Sequence, residues 1–308
     1  MRLYIAGING MVGSAIAEEA KKQGYQVLGK SSKELDLTNR DAAFAEMKSV
    51  KPDALVIAAA KVGGIGANTT FPVDFLSVNL QIQTNLLDAA HAADIQRVLF
   101  LGSSCIYPKF APQPIPESAL LTGELEPTNE PYALAKIAGL KLVQAYRKQY
   151  EHRWISAMPT NLYGPRDNFD LETAHVLPAL IHRFHVAKVN KLPEVTIWGD
   201  GTPLREFLHI DDLASACLML LEVYDSSVAI NIGSGRETSI LELAQDIAKV
   251  VSFEGAIKFD QTKPNGTPRK LLDSHFLNNL GWKVQVDLEN GLASTYAWFL
   301  NNNAKGSV

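Results

Sequence analysis

Seven residues near the start, GINGMVG at 7–13, constrain this chain more than any other stretch. They follow the apolar run RLYIAG (2–7) and open the amphipathic stretch MVGSAIAEEAKKQG (11–24). Gly7, Gly10 and Gly13 therefore stand between an expected strand and an expected helix. At this spacing Gly7 permits a tight turn, Gly10 lets backbone approach a pyrophosphate, and Gly13 lets the helix pack on the sheet. The helix N-terminus adds free N–H groups and a partial positive charge for phosphates. Strand, glycine turn and helix together predict a dinucleotide site.

The chain continues in the same rhythm. YQVLG (25–29), ALVIAAA (54–60) and RVLFLGSS (97–104) read as strands, and NLQIQTNLLDAAHAA (79–93) as a helix between the last two. Strands apolar throughout suit a parallel sheet covered on both faces. Their alternation with helices implies right-handed crossovers and an α/β, Rossmann-type doubly wound sheet. After about residue 165 Pro and Gly become frequent, in YGPRDNF, KLPEV, WGDGTPL and PNGTPRK. Short strands (VTIW, AIKF) and helices (HVLPALIHRFHVAK, SILELAQDIAKVV, ENGLASTYAWFL) persist there. The expected organisation is a dinucleotide-binding domain over 1–165, with a segment near 207–232 returning to it, and a smaller C-terminal α/β substrate domain over 166–308. The closing NNNAKGSV reads as a frayed tail.

Composition narrows the partners. A net charge of −4 with scattered basic residues offers no footprint for nucleic acid or an anionic membrane. No apolar run reaches the roughly 20 residues a bilayer span needs. MRLYIAGING does not read as a signal peptide, so a cytoplasmic location is expected. Cys105 and Cys217 form no metal-type spacing, and no disulfide is expected in a reducing compartment.

The end of the second strand chooses the cofactor. An acid there would hold the ribose 2′-hydroxyl of NAD. This chain has Gly29-Lys30-Ser31-Ser32-Lys33, which suits the 2′-phosphate of NADP, although Glu34 and Asp36 follow. Further on, EPYALAKIAG (130–139) puts Tyr132 and Lys136 on one face of an expected helix. A phenol ordinarily titrates near pH 10, and a neighbouring ammonium is expected to bring it toward the working range. Ser103, at the carboxyl end of the fourth strand, lies where ligands bind in such sheets.

These motifs, with AAAKVGGI (58–65), GSSCIYPK (102–109), EPTNEPYALAKIAG (126–139), MPTNLYGPRDNF (158–169), GTPLREFLHIDDLA (201–214) and NGTPRKLLD (265–273), resemble the extended short-chain dehydrogenase/reductases. Within that superfamily they resemble the GDP-L-fucose synthases, which are 3,5-epimerase/4-reductases. The resemblance covers nearly the whole chain. It implies NADP(H) as cofactor, GDP-4-keto-6-deoxy-D-mannose as substrate and a homodimer. It implies that Ser103 and Tyr132 polarise the C4 ketone, with Lys136 behind Tyr132, and that Cys105 is the base and His175 the acid. For the cofactor it implies Ile8, Asn9, Met11 and Val12 beside the three glycines, then Lys30, Ser32, Asp36 and Leu37. Leu101, Gly102, Ser103 and Ser104 follow from the fourth strand, then Pro159, Thr160, Asn161 and Leu162 around the loop after the fifth, with Lys136 and His175. For the substrate it implies Asn161, Arg183, Trp198, Arg205, Asn265 and Lys270, with the three cations on the diphosphate. Asn9 stands where some members carry an arginine, and Asn265 where an aspartate can occur.

Three other readings compete. A 4,6-dehydratase would want an Asp-Glu pair where this chain has Cys105-Ile106. A simple 4-epimerase would need no cysteine. A non-catalytic dinucleotide-binding regulator would have no reason to keep Ser, Cys, Tyr, Lys and His together.

Overall fold

The computed structural model describes residues 1–263 and 265–302. Its first half alternates strands and helices: β1 (Arg2–Ala6), α1 (Met11–Lys22), β2 (Gln26–Leu28), α2 (Arg40–Val50), β3 (Ala54–Ile57), α3 (Ile65–Thr70), α4 (Pro72–Ala92), β4 (Arg97–Leu101), α5 (Glu130–Tyr150) and β5 (Ile155–Pro159). The second half holds β6 (Asn161–Tyr163), α6 (Val176–Val189), β7 (Glu194–Trp198), β8 (Leu204–His209), α7 (Ile210–Val223), β9 (Ile230–Ile232), β10 (Glu237–Ser239), α8 (Ile240–Val251), β11 (Ala256–Asp260), β12 (Arg269–Lys270), α9 (His275–Asn279) and α10 (Leu288–Asn302).

The main sheet is parallel and ordered β2-β1-β3-β4-β5-β9. Its strands are apolar because helices cover both faces. Leu3, Ile5, Val56 and Leu99 face a core with α1 and α7, while Tyr4, Leu55, Val98 and Phe100 face one with α4 and α5. The late segment α7–β9 joins this sheet: α7 packs on α1, and β9 pairs with β5 through Ala157↔Ile230. A third core gathers Phe184 of α6, Leu243 and Ile247 of α8 and Phe299 of α10. Small sheets frame it, with β10 and β12 flanking β8, β6 also on β8, and β11 parallel to β7.

Several elements differ from the sequence reading. α2 went unread because its stripe is weak, but Asn39 caps it by accepting from the Ala42 N–H. α7 was missed as well, since it is apolar nearly all round, as a helix between two layers is. Asn161 begins a strand rather than lying in a loop. Asn301 and Asn302 belong to α10 and are not frayed, whereas the rest of the expected tail lies outside the described residues.

Two fully buried polar side chains tie the sheets together. On β9, Asn231 Oδ1 accepts from the Tyr107 hydroxyl at 2.6 Å, and its Nδ2 donates to the carbonyls of Ile115 at 2.9 Å and Asp273 at 3.1 Å. On β8, the Glu206 carboxylate accepts from the N–H groups of Gly235 at 2.7 Å and Leu272 at 3.1 Å. The loop after β4 and the segment after β12 are thereby fixed to each other. Asn231→Ala strands the Tyr107 hydroxyl and the Asp273 carbonyl in a dry interior, while the Ile115 carbonyl keeps the Asp273 N–H. At about 1–3 kcal/mol per orphaned group, we expect a loss of roughly 2 kcal/mol or more in denaturant unfolding. A loss below about 1 kcal/mol would mean that water replaces the amide.

Candidate active site

The glycine loop is built for a phosphate. Gly7 has φ +86°, and a Cβ there would run into the Ala59 backbone at 2.8 Å. A Cβ on Gly13 would overlap the Gly7 carbonyl. Gly10 is different, since a Cβ there would meet only the Gly7 oxygen at 3.3 Å and otherwise point into open space. Protein packing does not require that glycine, so the space above it fits a ligand. Gly10 is also the N-cap of α1, offers no side-chain cap, and no acid occupies the first turn. The free N–H groups thus meet the needs of a dinucleotide's phosphates.

At the end of β2, Lys30 is held by Glu46 of α2 at 2.5 Å, and Glu46 also accepts from Tyr4. The acids that follow are turned onto their own loop. Glu34 accepts from the N–H and hydroxyl of Ser31, and Asp36 from those of Thr38. Ser32 and Lys33 are exposed. This edge therefore presents the Lys33 cation and the Ser32 hydroxyl, with Lys30 paired to Glu46 and the two acids that follow the strand engaged on their own loop.

Ser103 follows β4 in extended conformation, and its Oγ accepts from the Cys105 N–H at 3.2 Å. Tyr132 sits in the first turn of α5, just after Pro131 at the helix start, with its ring edge-on to Phe75 at 6.4 Å. Its phenol lies close to the Ser103 hydroxyl. Burial pushes the phenol well above its ordinary pKa, the neighbouring Cys105 charge adds to the rise, and the Ser103 hydroxyl opposes it. That reverses the expectation of an ammonium-activated phenolate. Lys136 is buried instead, donates to the Leu101 carbonyl at 2.8 Å and lies 5.8 Å from the Tyr132 ring centroid. Burial lowers its own pKa to about 8. Tyr132 is therefore a neutral proton donor here.

Cys105 lies one turn beyond Ser103 and is half-buried. Its Sγ takes Asn129 Nδ2 at 3.3 Å and Lys270 Nζ at 3.5 Å. His175 precedes α6 and is exposed at the surface, with protein packed closely around it. Desolvation by that surrounding protein holds its imidazolium pKa below the ordinary value despite the exposure, and the Lys270 charge pushes it further. The segment before His175 is seated by the loop after β3: the Gly64 N–H donates to Thr173, and a Cβ on Gly64 would overlap the Ala174 carbonyl. That close approach is the physical content of the VGGI stretch.

The expected substrate residues divide. Arg183 lies over Trp198 at 5.8 Å, Asn265 accepts from the Asp200 N–H at 2.9 Å, and Arg205 borders Gly266, so these four share one patch. Lys270 pairs in register with Arg205 but sends its ammonium to Cys105. Asn161 turns its amide onto the Glu206 carbonyl at 2.8 Å. Asn129, Glu46, Glu206 and Asn231 were not singled out in the sequence. Only Asn129 carried a local signal, three residues before Tyr132. Among the described residues there is no cluster of metal-ligating side chains, and no helix is long and apolar enough to cross a membrane.

Residues 3–233 match the NAD dependent epimerase/dehydratase family. The chain is 57% identical to GDP-L-fucose synthase 1 of Arabidopsis thaliana over 302 residues, covering 98% of this chain and 94% of that one. It is 51% identical to the GDP-L-fucose synthase of Escherichia coli strain K12, covering 98% and 97%. Among solved structures it is similar to a GDP-L-fucose synthetase from Naegleria fowleri bound to NADP, with a TM-score of 0.90, 29% identity and coverage of 97% and 94%.

The buried Lys136 has a consequence for stability. Its folded pKa, about 8, lies below its ordinary value of 10.5. Between those values the unfolded chain binds the extra proton, so this residue makes stability rise with pH across the window. Below about pH 8 its burial costs stability. Lys136→Met should therefore raise Tm relative to wild type more at pH 7 than at pH 10. An equal or smaller gain at pH 7, read by thermal denaturation, would refute the charge penalty.

Proposed function

The chain belongs to the NAD dependent epimerase/dehydratase family, within which it groups with the GDP-L-fucose synthases, and from that membership we infer a bifunctional epimerase/reductase. It uses NADP(H) and converts GDP-4-keto-6-deoxy-D-mannose to GDP-L-fucose, by inversion at C3 and C5 and reduction at C4. The observation that carries the residue roles is the convergence of Ser103, Tyr132, Cys105, His175 and Lys270. Ser103 Oγ accepts from the Cys105 N–H and Lys270 touches the Cys105 sulfur, while Tyr132 and His175 lie near enough to feel the Cys105 and Lys270 charges.

C3 and C5 both lie α to the C4 ketone, so one polarised carbonyl acidifies both protons. The Ser103 and Tyr132 hydroxyls donate to that oxygen and stabilise the enolate. The Cys105 thiolate takes the proton from carbon, and the C–H electron pair moves into the enolate. His175 returns a proton from the opposite face, and its lowered pKa makes the imidazolium a readier donor. The Gly7–Gly13 loop and Lys30 would hold the dinucleotide, which when bound supplies the hydride to C4. Tyr132, kept neutral by burial, gives its proton to the C4 oxygen.

We read residues 1–165 with 207–232 as the cofactor domain and the rest of 166–308 as the substrate domain. The same reading includes a homodimer and a cytoplasmic location. Sedimentation at micromolar concentration tests the first, and cell fractionation the second.

Product analysis with the GDP-keto sugar and NADPH tests the function. In D₂O without NADPH, wild type should place deuterium at C3 and C5, and Cys105→Ser should not. Wild-type exchange in that variant removes Cys105 as the base. Tyr132→Phe should slow reduction by about 10²–10⁴-fold with the fold intact. Near-normal reduction would show that another group supplies the proton. Lys30→Ala removes one charge-assisted contact, so NADPH affinity should fall roughly tenfold or more relative to NADH. Equal losses for the two cofactors would argue against a 2′-phosphate role.

A further inference from the structure

Both groups that contact Cys105 Sγ are donors. Lys270 Nζ, at 3.5 Å, carries no lone pair as an ammonium, and Asn129 Nδ2, at 3.3 Å, can only donate. The sulfur is therefore an acceptor twice. A thiol is a weak acceptor and a thiolate a strong one, so this arrangement fits the anion. The amide orientation is consistent with it. Among the described residues Asn129 Oδ1 is enclosed without a partner, and turning the amide over would put two N–H donors in that dry place.

The charges around the sulfur point the same way. Lys109, Glu126, Arg269 and Lys270 line the same pocket as Cys105. Lys109 pairs with Glu126 at 3.0 Å and Arg269 with Glu237 at 2.6 Å. Among the described residues Lys270 has no carboxylate within ion-pair distance, and its ammonium meets the Cys105 sulfur. The lysine is also held in place by its neighbours. The Leu271 N–H donates to Gln113 Oε1 at 2.8 Å, Leu272 N–H to the buried Glu206, and Ile115 bridges Leu272.

We infer that Lys270 and Asn129 form a donor pair that holds Cys105 as its thiolate, which makes Lys270 a partner of the base rather than only a ligand of the diphosphate. The inference rests on Cys105 being the base in the reading above. The chemistry balances: Sγ takes the α-proton, the electron pair enters the enolate, and Lys270 keeps its proton throughout. Two inversions require Sγ to pass its proton to water and His175 to regain one from water between C3 and C5, and an adjacent fixed cation favours the anion each time.

Alkylation of the substrate-free protein by iodoacetamide at pH 7.5, followed by intact mass, tests this without the reaction. The thiolate is the reacting form, Cys217 is fully buried, and Cys105→Ser identifies the site. Lys270→Gln should slow labelling of Cys105 at least about tenfold, Asn129→Ala should slow it less, and Lys270→Arg should restore much of the rate. Calorimetric GDP affinity in the same variants reports any diphosphate contact. Wild-type labelling in Lys270→Gln overturns the inference, whatever happens to GDP affinity. Should that variant fail to fold, unchanged labelling in folded Asn129→Ala overturns the pair. Absent deuterium exchange in the wild type would sink the base assignment alone, because labelling does not depend on substrate.

Discussion

The site depends on a clamp between two sheets. Cys105 lies on the loop after β4, while Lys270 lies on a two-residue strand of the smaller sheet. Nothing in either element alone fixes their separation. Asn231 and Glu206 do so, because each is fully buried and bonded to segments more than 25 positions away in sequence. A buried carboxylate is costly unless its lone pairs are met, and burial indeed raises the Glu206 pKa while its backbone partners oppose the rise. Such networks hold one geometry firmly because every alternative leaves a polar group unpaired.

The parts of this arrangement legible in the sequence were those with local signatures. The glycine loop, the apolar parallel strands, the Tyr132–Lys136 spacing and the blocks of family resemblance could be read directly from residue order. The partners that complete them could not. Lys30 meets Glu46, Cys105 meets Lys270, and Asn231 meets Ile115, all across the fold. No periodicity encodes such pairs. The expected sign of the Tyr132 shift failed for the same reason. Spacing showed an ammonium nearby, but how much water the fold removes from the phenol is a three-dimensional quantity.

Neutrality by burial links several residues. Tyr132 stays protonated, His175 sheds its proton readily, and Lys136 sits close to deprotonation. Each shift has desolvation as its largest cause. Desolvation by the packed chain is thus common to all three, although His175 also reaches solvent, and Lys270 places a cation beside Cys105.

The placement of the two sulfurs has a consequence outside the catalytic cycle. Cys105 is partly open to solvent, and the thiolate is the form of a cysteine that peroxide attacks. Cys217 is sealed in the core between α1, α7 and the sheet, so the chain offers no second thiol to close an internal disulfide. A sulfenic acid at Cys105 would have to wait for a small thiol from outside or oxidise further. Peroxide inactivation that added thiol reverses early, but not late, is how that isolation would show itself.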